Sequence, residues 1–142
     1  MKTPYKFITF FLLGILLIFL FTTLYPPSPC DHMETVNASI KVKIIPGRGM
    51  LGLNTNTDHL NFGVVSPGIM ATRYVRFQHS RNASVTVTMG RDLDVWTEIR
   101  PSSFNSTAGN ITEVYFDVAV PPGAPVGEYF GKAFFCIKEE ES

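Results

Sequence analysis

From Phe7 to Leu24 the chain carries no charged residue and no proline. Lys2 and Lys6 stand just before this run, and Tyr25-Pro26-Pro27 closes it. A helix of about 20 apolar residues spans a bilayer core, so the run is at the short end of sufficient. Such a segment cannot be absorbed into a small soluble core, and it divides the chain. Residues 1–6 read as a short cytoplasmic basic end, 7–24 as an N-terminal transmembrane anchor, and 25–38 as a proline-rich stalk. Residues 39–138 read as one domain and 139–142 as an acidic tail. The lysines favour a cytoplasmic N-terminus, which sends everything after Tyr25 outside. A cleaved signal peptide is the other reading of the run. The only small-residue pair near its end, Ser28 and Cys30, is interrupted by Pro29, which makes a poor cleavage site and favours retention.

Beyond the anchor about 117 residues remain, enough for one domain with one core. The whole chain has 12 basic and 12 acidic residues, and without Lys2 and Lys6 the outer part holds 10 against 12. That balance offers no basic field to nucleic acid. The expected partners are the membrane, through the N-terminal helix, and another envelope protein or a glycan. Self-assembly is a further option.

The outer part alternates with period two. Ile40, Val42 and Ile44 lie on one face with Lys41 and Lys43 on the other, the pattern of a half-buried strand. Met50–Leu53 makes a short strand, and Leu60–Val64 alternates again. Val75 and Phe77 face in with Tyr74 and Arg76 out. Val85, Val87 and Met89 follow. Val95–Ile99 holds Trp96, which is expected to anchor the core, and Pro101–Gly109 reads as a loop. In Thr112–Val120 the residues Val114, Phe116, Val118 and Val120 face in, with Glu113, Tyr115 and Asp117 out. Glu128–Lys138 is the last strand. Seven or eight short strands separated by turn residues predict an all-β, antiparallel sandwich.

Two stretches carry a resemblance. Leu60-Asn61-Phe62-Gly63-Val64-Val65-Ser66-Pro67-Gly68 resembles the opening of many secreted immunoglobulin-like domains. Val118-Ala119-Val120-Pro121-Pro122-Gly123-Ala124-Pro125-Val126-Gly127-Glu128-Tyr129-Phe130-Gly131 resembles their ending. These domains are related in form to fibronectin type III and to the domains named for spindle and hydin proteins. They are common in archaeal and bacterial envelope proteins. The resemblance covers residues 39–138 and implies an immunoglobulin-like sandwich with no shared catalytic residues. An anchor followed by a single sandwich is also the layout of archaellum stator subunits.

In the last strand the core face takes Tyr129, Gly131, Ala133, Phe135 and Ile137. Phe130 and Phe134 then fall on the outer face beside lysines, an expected interaction surface. Edge strands can accept a neighbour's strand, and Ser39–Ile44 and the last strand are the candidates for such exchange. Cys30 and Cys136 lie at opposite ends of the outer part. An intramolecular bond, an intermolecular bond and free thiols are all open. Asn37, Asn82, Asn105 and Asn110 each begin an Asn-x-Ser/Thr sequon outside the expected strand centres and are candidate glycan acceptors. His32, His59 and His79 lack ligand spacing, so no metal and no cofactor is expected. Asp92, Asp94 and Glu98 read as solvated carboxylates, and no nucleophile elbow or phosphate loop is present. The expected function is a non-enzymatic, membrane-anchored structural or interaction module of the cell envelope. The alternatives are a filament or stator subunit and a secreted binding module.

Overall fold

The computed structural model describes residues 11–20, 29–45 and 59–140. Residues 11–20 are helical. At about 1.5 Å per residue they rise roughly 15 Å, against about 30 Å for a hydrocarbon core. No helix among the described residues is long and apolar enough to cross a membrane. The flanks of the expected span, 7–10 and 21–24, lie outside the described residues, as do Pro46–Gly49 and the expected strand at Met50–Leu53.

The remainder is all-β. The strands are β1 (His32–Val42), β2 (His59–Val65), β3 (Met70–Gln78), β4 (Ala83–Arg91), β5 (Thr97–Arg100), β6 (Ser103–Ser106), β7 (Ile111–Ala119) and β8 (Gly127–Glu139). They form a five-stranded sheet in the order β2-β1-β8-β4-β6 and a three-stranded sheet in the order β3-β7-β5. The inward residues of both sheets make one core. Ile40, Phe62, Val85, Phe116, Val118 and Phe135 are among its most buried members. Aromatic rings fill its middle. Phe135 stacks on Phe77 with centroids 5.7 Å apart, and Phe116 and Phe104 meet these rings edge-on.

Several expectations are corrected. The sandwich is not wholly antiparallel, because β1 pairs with β2 in parallel. The intervening residues 43–58 are long enough for the crossover a parallel pair needs. β1 begins at His32 rather than Ser39, so residues 32–38 belong to the sheet and not to a stalk. It ends at Val42, which leaves Ile44 72% exposed. Trp96 sits in a 3-10 turn at Asp94–Trp96 and is only half-buried. It packs on Tyr129 at 4.6 Å, at the rim of the core. The expected 101–109 loop contains the short edge strand β6.

The turn between the sheets is chemically specified. Pro67 takes the first central position and Gly68 the second, at φ +82°, with the Ile69 N–H donating to the Ser66 carbonyl. This is a type II turn, which needs a positive φ at its second central residue. Beside this turn, Val120 follows the end of β7, its carbonyl accepting from the Gly68 N–H at 2.9 Å, and leads into Pro121–Val126; the Tyr129 hydroxyl donates back to the Pro125 carbonyl at 2.7 Å.

Close packing on β8 makes a mutational test. A Cβ at Gly131 would lie 3.0 Å from Leu93 Cβ and Cδ1 and from Met89 Sδ. Gly131→Ala is expected to destabilise the sandwich by about 1–3 kcal/mol through overpacking. Urea unfolding would check this, and an unchanged midpoint would contradict the packing.

Candidate functional site

Pairing on β8 decides what surrounds the two phenylalanines. Phe130 lies opposite Ser39 of β1, and Phe134 lies between Thr35 of β1 and Thr88 of β4. Both side chains leave the outer face of the five-stranded sheet, as the alternation implies. They differ in cover. Phe130 is 49% exposed, whereas Phe134 is half-buried. The reason is Gly90, which has no side chain: a Cβ there would stand 3.0 Å from Phe134 Cε2, so the ring lies over the glycine backbone. Loop residue Asp92 holds the start of β8, its carboxylate accepting from the Phe130 N–H at 3.2 Å.

Beside Phe130 the β1–β2 register slips. Ser39 pairs with Asn61, but Lys41 pairs with Val64. Gly63 absorbs the extra residue at φ +75°, and its N–H donates to Asn61 Oδ1 at 2.8 Å. Such a bulge re-aims the side chains around it. A cleft of about 300 Å³ opens there, with Phe130 and Val64 as apolar walls and Ser39, Asn61, Lys41 and Glu128 as polar ones. Lys41 Nζ donates to Glu128 Oε1 at 2.9 Å across its end.

Cys30 and Cys136 are joined by a disulfide with a Cα separation of 5.2 Å. Cys136 is on the same outer face, opposite Met33 of β1. The bond fastens the chain to β8 just before β1 begins. Asp31 continues the fastening: its N–H donates to the Ile137 carbonyl, and its carboxylate accepts from the Glu139 N–H, both at 2.9 Å. Glu139 then gathers basic side chains from three places. Arg81 donates to Oε2 at 2.7 Å, while His79 and His32 stand 3.2 and 3.6 Å from Oε1. The hydrogen bonds from Arg81 and then His79 lower the Glu139 pKa below the usual carboxylate value.

The three-stranded sheet has an outer face of different character. Tyr74 of β3 lies directly opposite Tyr115 of β7, and Arg76 opposite Glu113. The tyrosine ring centroids are 5.7 Å apart, and the Arg76 guanidinium stands 5.8 Å from the Tyr74 ring centroid. The Tyr115 hydroxyl donates to Glu113 Oε2 at 2.7 Å, which lowers the Glu113 pKa and raises that of Tyr115. Asp117, expected to face solvent, is the correction here. It is on the outer face but only 3% exposed, because β7 is the central strand and both neighbours reach over it. Thr72 Oγ1 donates to its Oδ1, and Arg100 Nε donates to Oδ2 at 2.8 Å.

These bonds make Asp117 an acid-sensitive point. The Thr72 hydrogen bond, then Arg100, lower its pKa against the opposing effect of burial. A lowered folded-state pKa contributes stability above the unfolded value, and that stability is lost as pH falls through the folded value. The melting temperature is expected to hold between about pH 7 and 5 and to fall below about pH 4. Asp117→Asn is expected to cost about 1.5–3 kcal/mol near neutrality and to flatten the acid limb. Melting curves across pH would check both, and an Asp117→Asn acid limb as steep as that of the parent would rule the role out.

The remaining candidates separate. Asn37, Asn82, Asn105 and Asn110 are all exposed. Asn37, expected outside a strand centre, is in the middle of β1, and Asn105 is on β6. The Asn82 side chain accepts from the Ala108 N–H. His59 bonds Ser39 at 2.8 Å. Among the described residues no group of three or more His, Cys, Asp and Glu side chains is arranged to hold a metal ion. Asp92 faces β8 of one sheet, whereas Glu98 pairs with Asp117 in the other, so they do not converge.

β1 and β8, the strands considered for exchange, are interior members of their sheet. At the seam between edge strands β2 and β3, Arg73 Nε donates to the Asn61 carbonyl at 3.1 Å. A charged side chain folded over an edge discourages strand addition. No family model, curated protein or solved structure matches the chain.

Proposed function

We propose that this chain is a non-enzymatic, membrane-anchored module of the cell envelope, whose sandwich works outside the cytoplasm as a structural or interaction domain. The observation that carries this reading is the Cys30–Cys136 disulfide, placed where the apolar N-terminal run hands over to β1. Structural disulfides persist in oxidising compartments and are rare in the cytosol. The helix at residues 11–20 adds support. Phe11, Leu16 and Ile18 are 69%, 63% and 67% exposed, an apolar surface suited to lipid. The immunoglobulin-like assignment is favoured by the Tyr129 hydroxyl bond to the Pro125 backbone, which resembles the tyrosine corner of such sandwiches.

The interaction is assigned to the Tyr74–Tyr115–Arg76 face. Tyrosine and arginine dominate binding hot spots, and here Glu113 holds both Tyr115 and Arg76, with Tyr74 packed on the Tyr115 ring. A protein of the same envelope is the partner this chemistry fits. Strand exchange through β1 or β8 would require opening the five-stranded sheet, so a filament subunit would assemble through another edge strand or face to face. A secreted module would differ by a shortened N-terminus, read from the mass of its first peptide.

Thiol labelling of fractionated cells tests the proposal. The chain is expected in the membrane pellet, released only by detergent, with Cys30 and Cys136 blocked until reduction. A photo-crosslinking residue at Tyr74 is expected to capture an envelope protein. Recovery in the cytosol with both thiols free would end this reading.

A further inference from the structure

We propose that the cleft beside Phe130 seats the first sugars of a glycan carried on Asn37. The inference rests on the extracytoplasmic reading above, since Asn-x-Ser sites are modified on exported chains. Its starting point is register. Ala38 is 1% exposed, so its neighbour Asn37 projects from the outer face of β1. There it stands between Lys132 of β8 and His59 of β2. Two residues further along β1, Ser39 stands between Phe130 and Asn61, and all three line the cleft. Two strand residues span about 7 Å. That is the reach of an asparagine side chain carrying one pyranose ring.

The chemistry of the cleft suits a sugar. A pyranose has one face of C–H bonds and a rim of hydroxyls. Phe130, 49% exposed, offers a flat apolar ring to the first. Asn61 and the Lys41–Glu128 pair offer donors and acceptors to the second. The site is shallow and open along a sheet, which suits a tethered ligand better than a free one. Attachment at Asn37 makes binding intramolecular, and a short tether supplies an effective concentration in the millimolar range. A seat too weak to hold a free saccharide is then filled by a covalently held one. The glycan covers Phe130, and the Tyr74 face on the other sheet stays clear of it.

The test uses the full chain produced in a host that modifies Asn-x-Ser/Thr sites, held in lipid nanodiscs. Glycopeptide mapping reads which asparagines are occupied. Hydroxyl-radical footprinting reads the oxidation rates of Phe130 and Tyr74 in the parent, in Asn37→Gln and in Asn37→Ala, both of which remove the sequon and leave the residues lining the cleft unchanged. The expected result is an occupied Asn37, with Phe130 oxidised several-fold more slowly in the parent than in either variant and Tyr74 unchanged. Modification at Asn82, Asn105 or Asn110 with Asn37 bare would overturn this inference alone. So would equal Phe130 rates with and without the Asn37 glycan. A chain bare at all four sites, with free thiols, would remove both this inference and the extracytoplasmic reading beneath it.

Discussion

Replacing Cys30 and Cys136 together by serine is expected to lower the melting temperature of the sandwich by on the order of 20 °C. The two cysteines are 106 residues apart in sequence, so the bond closes nearly the whole domain into one loop. Constraining an unfolded chain over that length is worth about 4–5 kcal/mol in the chain-entropy model. For a domain of this size each kcal/mol moves the midpoint by roughly 4–8 °C. The bond has a local consequence too. It holds the first rungs of β1 against β8, where His32 pairs with Ile137 and Met33 with Cys136. The double variant should therefore show early hydrogen exchange in residues 32–36 before the rest of the sheet opens. Calorimetry of the oxidised parent and the double variant is the direct comparison. If the two melt together, the closed loop contributes little, and the other β1–β8 contacts hold the strand unaided.

Phe135→Ala is expected to cost about 3–5 kcal/mol, the range for removing a buried phenylalanine. Phe135 is 2% exposed, belongs to the five-stranded sheet and reaches the three-stranded sheet through its ring. It stacks on Phe77 of β3 at an interplanar angle of 5° and meets Phe116 of β7 at 63°. It is therefore a bridge between the layers, and its loss leaves a cavity that the two sheets cannot close without moving together. The neighbouring outer ring makes the control. Phe134→Ala removes a half-buried side chain lying over Gly90 and should cost clearly less. Guanidinium unfolding of the two variants reads the difference. Equal losses would mean that the inward and outward faces of β8 have been assigned wrongly.

These two results probe different levels of legibility. The face of each residue in β4, β7 and β8 was readable from period-two alternation, and Val85, Val114, Phe116 and Ile137 are all fully buried. The exceptions have specific causes. Asp117 keeps its expected face but is covered, because alternation cannot show that a strand is central and flanked by reaching side chains. Ile44 stays exposed because β1 stops at Val42, and β1 starts early because residues 32–38 find a partner in β8. A polar stretch becomes a strand when a long neighbour offers it a ladder. Trp96 was displaced from the core centre because the chain turns through Asp94–Trp96 before β5 begins.

The candidate surfaces divide in the same way. Phe130 and Phe134 were visible as outward aromatic residues in a lysine-bearing strand. Tyr74, Arg76, Glu113 and Tyr115 were each visible as outward residues too, but nothing local showed that β3 and β7 are neighbours. The tyrosine–arginine face exists only through the rungs Tyr74–Tyr115 and Arg76–Glu113. The seat beside Phe130 likewise depends on the slip between Ser39 and Lys41, a tertiary event marked locally only by Gly63.

By itself the sequence determined the all-β class, the inward residues of the main strands and the turn at Pro67-Gly68. Each of these follows from local geometry: side chains alternate faces along a strand, and the positive-φ position of a type II turn favours glycine. Only the tertiary structure decided strand order, the parallel β1–β2 pair, the partners of Asp117 and the pairing that sets Phe130 beside Ser39. Those depend on which distant segments pair. The pairing is chosen by packing of the whole core, where the same alternating strand could fit beside several neighbours.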